Sequence, residues 1–156
     1  MTNFDSLKGT IDHISNVRRK IFTVVVDLLD RSEKHDKSKT EHPEKEVYDK
    51  YTPMLRELEY GSKEYESTRK EMGEALQHHY EHNRHHPEYF VDGVDGMNLI
   101  DMLEMLADWK AASERMKDGT GDLRKSIEIN CSPERFNVDE KIKLLLLNTA
   151  SYLGWI

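Results

Sequence analysis

Apolar side chains that return every three or four positions constrain this chain most, because that period fits a helix and not a strand. In the first stretch Ile14, Val17, Ile21, Val24, Val25 and Leu28 fall on one face at 100° per residue. Asp5 or Ser6 stands where a cap is needed, which predicts a helix running to about Arg31. Residues 31–45 are too polar for a core element and read as a linking stretch. Pro53 opens a segment through Leu58, and Tyr60-Gly61-Ser62 is a break. A second long helix is predicted from Ser62 to about Asn83, with Pro87 preventing its continuation. A third runs from Met97 to about Met116, ending before Lys117-Asp118-Gly119-Thr120-Gly121, and a last one from about Val138 to Leu153. Ser126–Asn130 could be extended, but it is too short to build a sheet. The expected architecture is all-α, a compact single-domain helical bundle over residues 1–156, with the apolar end Leu153–Ile156 packed internally.

Composition narrows the functional classes. A chain of 156 residues has room for one ordinary core. A formal charge of -7 argues against general nucleic-acid binding, which needs a basic face. A nucleotide stays open as a substrate, since a bound cation reverses the local field. Cys131 is the only cysteine, so neither an internal disulfide nor a thiolate zinc cage is expected, which fits a reducing compartment. No apolar run approaches the ~18 residues of a membrane span, and the first residues lack the pattern of a signal peptide. The expectation is a cytoplasmic protein, monomeric or homodimeric.

Histidines and carboxylates recur where chemistry is easiest to build. His78, His79, His82, His85 and His86 crowd one short segment, which is hard to motivate by packing alone. His35-Asp36 sits in the linking stretch, and His13 borders the apolar stripe of the first helix. Asp101, Glu104 and Asp108 share one narrow face of a helix that is apolar nearly all round, so its acids need partners. Each group has a bland alternative: a solvated helix end, a capping Asp, a border histidine, an amphipathic surface helix. Together they favour a mixed nitrogen and oxygen ligand set, suited to one or two divalent transition-metal ions such as Mn, Fe, Co, Ni or Zn.

In order and interval, His13, His35-Asp36 and Asp108 resemble the ligands of the HD-domain superfamily of metal-dependent phosphohydrolases. His35-Asp36-Lys37-Ser38-Lys39 looks like that family's His-Asp-x-x-Lys string, which would place Lys39 near a substrate phosphate. The segment 75–81, with His78-His79, is similar to the double-histidine helix of the subgroup that cleaves cyclic dinucleotides. Asn83-Arg84-His85-His86-Pro87-Glu88 stands where that subgroup carries Gly-Tyr-Pro. HDKSK, YGSKEY, HHYEHNRHHPEYF, MNLIDMLEMLADWKAA and SIEIN are also similar to a family of uncharacterised small proteins from bacteria and their phages.

The HD resemblance implies an HD-type fold and a metal-dependent phosphohydrolase acting on a nucleotide or related phosphoester. One ion would be held by His13, His35, Asp36 and Asp108. A second would be held by His78, His79 and one of His85 or His86, with Asp36 bridging. Lys39 and Arg84, the basic residues nearest the ligands in sequence, would hold a phosphate. Glu104 could be a ligand, an acceptor orienting an imidazole, or a general base. Two other classes remain open: a di-iron oxygenase on the same scaffold, and a non-catalytic, metal-stabilised module that binds a nucleotide or a host protein.

Overall fold

The computed structural model describes residues 5–115 and 122–156. Among them every regular element is helical, as the periodicity predicts. The chain divides into two compact units, Met1–His35 and Asp36–Ile156.

The first unit is one helix, α1 (Leu7–Lys34), 28 residues long. Ser6 takes the N-cap position without a side-chain bond, and Asp5 Oδ1 accepts from the Leu7 N–H at 2.9 Å in its place. The helix runs past Arg31 because its last turns are pinned by ion pairs, Arg31 with Asp27 at 3.3 Å and Lys34 with Asp30 at 2.8 Å. It closes at His35, whose N–H reaches the Arg31 carbonyl at 2.7 Å. No residue of α1 is buried, and its apolar stripe is open, with Ile21 58% exposed.

The second unit holds six further helices among the described residues: α2 (Glu44–Arg56), α3 (Lys63–Lys70), α4 (Gly73–His82), α5 (Leu99–Glu114), α6 (Leu123–Cys131) and α7 (Glu140–Tyr152). Four expectations change here. The polar link is partly ordered, since Lys37–Thr40 form a 3-10 turn entered through Asp36. Pro53 does not open a segment but lies in the last turns of α2, where the N–H it lacks would have reached residue 49. The predicted helix 62–83 is two helices, α3 and α4, because Gly73 takes a left-handed φ of 53° that no helix can continue through. Ser126–Asn130 is helical and not extended, started by Asp122, whose side chain accepts from the Lys125 N–H at 3.0 Å. The predicted break at Lys117–Gly121, with Met116 before it, lies outside the described residues.

α5, α6 and α7 meet around Met105, Leu106, Leu123, Ile127, Leu146 and Ala150, all buried. Trp155 packs on this core, as expected of the apolar terminus, while Leu153 and Ile156 stay exposed. α2, α3 and α4 form the other half, and α4 with the segment after it carries His78, His79, His82, His85 and His86. No helix among the described residues is long and apolar enough to cross a membrane.

Candidate metal centre

The centre is built from the back. Glu44, the first residue of α2, is fully buried. A buried carboxylate requires partners, and Glu44 has two on α4: Oε1 accepts from His78 Nδ1 at 2.7 Å and Oε2 from His79 Nδ1 at 2.8 Å. With its Nδ1–H committed to Glu44, His79 turns Nε2 the other way, as a lone-pair donor. There it meets His86 Nε2 at 2.8 Å and Asp36 Oδ1 at 3.4 Å.

His85 repeats the arrangement. Its Nδ1 faces Glu104 Oε1 of α5 at 3.3 Å, and its Nε2 faces the same Asp36 Oδ1 at 3.5 Å. Asn83 brings the pair 85–86 back beside His79. It leaves α4 in an extended conformation, and its Nδ2 donates to the His79 carbonyl and to Ser38 Oγ, both at 2.8 Å. Asp36 has a left-handed φ of 55°, a conformation that Asp tolerates better than most residues, and Lys39 holds its Oδ2 at 2.6 Å.

Asp36, His79, His85 and His86 each offer a ligand atom, all within 4.8 Å of one another. Asp36 and His85 stand in the same relation to Asp108 of α5. His79 and His85 are buried. Burial, followed by the neighbouring His85 and His79, pushes the His86 pKa well below its ordinary value, so this imidazole stays neutral with a lone pair to give. Imidazoles and carboxylates at this spacing could hold a metal ion.

The geometry redistributes the roles expected from sequence. His13 cannot share an ion with His35: His13 lies in α1 and His35 is its C-cap, so about 33 Å of helix separates them. His78 is not in the cluster; it bonds Glu44 and stacks on His82 with ring centroids 4.0 Å apart. Arg84 is not a phosphate clamp. Its Nε and Nη2 each lie 3.1 Å from a carboxylate oxygen of buried Asp101, and the guanidinium rests against the Tyr89 and Phe90 rings. Asp101 is therefore structural, and it also completes the capping box of α5 with Asn98. Of the three roles open to Glu104, its position behind His85 fits the orienting acceptor. His35 is the C-cap of α1.

A cavity of about 190 Å³ adjoins the centre, lined by His79, His86 and Asp108 together with Lys39. Tyr48, Tyr60, Tyr65 and Tyr80 supply much of its wall. Burial raises all four phenol pKa values, that of Tyr65 to about 12, so they are neutral hydroxyls at physiological pH. Residue type and spacing do not single out Glu44, Asn83, Arg69, Arg135 or Asn130. Their only sequence signals, an acid after a proline and scattered polar residues in helices and turns, are shared by many solvated positions.

The chain belongs to a family of unknown function, DUF5662, whose model matches residues 2–151. No curated protein and no solved structure matches it.

Proposed function

We propose that this member of DUF5662 is a metal-dependent phosphohydrolase acting on a small phosphoester, a nucleotide or a related molecule. The observation that carries the reading is the convergence of Asp36, His79, His85 and His86 within 4.8 Å, beside a cavity large enough for a substrate. These residues and Asp108 would hold one or two divalent transition-metal ions, with Asp36 common to both ligand groups. Such ions supply electrophilic polarisation of a phosphoryl oxygen and acidify water towards neutral pH.

The chain's own residues do the rest. Glu44 and Glu104 fix the tautomers of His79 and His85, so that both Nε2 atoms face inward. Lys39 lines the cavity while bonded to Asp36, which puts an ammonium where a phosphate oxygen can be received. The resemblance to HD-domain phosphohydrolases supports the same reaction through Asp36 and Asp108, while His13 drops out of the ligand order and His79, His85 and His86 supply the imidazoles.

The test is elemental analysis of the purified protein with a phosphatase and phosphodiesterase screen in manganese, repeated on Asp36→Ala. Bound metal and turnover, both lost in the variant with helix content retained, are expected. Full activity in Asp36→Ala ends the reading. The sharing of Asp36 by two ligand groups also favours a second reading, a di-iron oxygenase. It predicts iron in preference to manganese and oxygen consumption without phosphate release. Metal-dependent melting with no turnover of either kind would leave a metal-stapled binding module.

A further inference from the structure

The cavity beside the metal centre carries a second cluster that the proposed hydrolysis does not use. Arg69 of α3 and Arg135 converge on Glu66, which accepts from Arg69 Nη2 at 2.8 Å and from Arg135 Nη1 at 2.7 Å. Arg69 Nη1 also donates to Tyr80 Oη at 2.8 Å, and Asn130 Oδ1 accepts from Tyr60 Oη at 2.8 Å. All six side chains are thereby fixed in place. Yet Arg69 Nε, Arg135 Nε and Asn130 Nδ2 are buried and meet no acceptor among the described residues. Asn130 is 0% exposed. Buried donors are almost always satisfied, so three on the wall of one cavity mark a place where an acceptor-rich group binds.

The donors say which kind of group. Lys39, Arg69, Arg115 and Arg135 line the cavity with Glu88 and Asp108. Glu66 pairs with the Nη groups of Arg69 and Arg135, and Asp36 with Lys39, so it is the two guanidinium Nε edges and the Asn130 amide that are left to receive an oxyanion. Glu88 forms no ion pair with either arginine among the described residues. Guanidinium edges beside an amide N–H are the usual partners of carboxylate and phosphate oxygens. On the scale of 10–15 Å³ per water, the cavity takes a ligand of roughly a dozen heavy atoms. The body of a dinucleotide is far larger.

We infer that Arg69, Arg135 and Asn130 form an oxyanion subsite, and that the ligand is a small phosphoester carrying a second anionic group, a carboxylate or another phosphate, which this subsite receives. The subsite stands on its own donors. That the ligand's other end is a phosphoryl group at Asp36, His79 and His86 rests on the phosphohydrolase reading.

The experiment titrates 2-phosphoglycolate, inorganic phosphate and acetate calorimetrically into the full chain, once stripped of metal with a chelator and once loaded with manganese. Asn130→Asp keeps the acceptor for Tyr60 and replaces the donor with a negative charge. Arg135→Lys keeps the positive charge and loses the Nε donor. Circular dichroism and melting verify that both variants fold. The expected result is that phosphoglycolate binds the metal-free wild type more tightly than acetate or phosphate does. Each variant should weaken that binding by about tenfold or more. Equal binding by wild type and both folded variants overturns the subsite, as does weak binding of inorganic phosphate alone at the same strength in all three. Loss in the variants without any phosphoester turnover sustains the subsite and removes the phosphohydrolase reading. Turnover with unchanged KM in both variants does the reverse.

Discussion

α1 and α4 each place a histidine beside apolar neighbours, and in sequence His13 and His79 look alike. In the fold they share almost nothing. His13 sits on a helix with no buried residue, whereas His79 is 1% exposed, with Glu44 bonded to one ring nitrogen and His86 against the other. The contrast shows that an imidazole becomes a candidate ligand through what stands behind it. A buried carboxylate fixes the tautomer and aims the lone pair; an apolar stripe does neither.

The widest gap this contrast predicts is in metal content. His79→Ala should cost more than about a hundredfold in affinity, beyond the loss usual for an orienting partner, while His13→Ala changes it less than twofold. Mass-spectrometric metal analysis after dialysis against a graded chelator measures both. Equal losses would return His13 to the ligand set. Next in size, Glu44→Gln and Glu104→Gln should each weaken metal binding by about 10–100-fold without abolishing it, since they act through His79 and His85. No change in either variant would mean that the carboxylates behind the rings are incidental.

The comparison extends to packing. Leu106→Ala, at a fully buried site on α5, should cost about 2–5 kcal/mol in urea denaturation. Ile21→Ala on α1 should cost no more than about 0.5 kcal/mol. A large loss at Ile21 would show that the apolar face of α1 is covered in solution. A chemical probe of the same core is Cys131, whose burial raises the thiol to about 11. At pH 8 about one molecule in a thousand then carries the thiolate, so native alkylation should be far slower than in urea. The smallest effect belongs to His82, whose Nδ1 bonds the His78 carbonyl in its own helix. His82→Ala should leave metal content within twofold.

Much of the helical order was legible, because burial of one face imposes a period that a single sequence displays. The capping acceptor at Asp5 and the break at Tyr60-Gly61-Ser62 are legible as well, since each acts over three residues or fewer. The split at Gly73 is not legible: helical periodicity runs through it, and only the backbone's left-handed turn there divides α3 from α4. Ser126–Asn130 could be extended by its sequence, but the cap at Asp122 and the packing of Ile127 into the core make it helix. At the site, Asp36, the double histidines and Asp108 stood out as residue types able to bind a cation. Glu44, Asn83 and the Arg69–Arg135–Asn130 cluster did not, because each draws its meaning from partners tens of residues away.

By itself, then, the sequence determined an all-helical chain and the inventory of nitrogen and oxygen donors, both of which depend on local spacing and residue chemistry. The tertiary structure decided which donors share a centre, that Arg84 belongs to Asp101, and that Arg69 and Arg135 face the cavity. Those outcomes turn on distances of about 3 Å between remote segments, and only the packing of α2 against α4 and of α5 against α6 sets them.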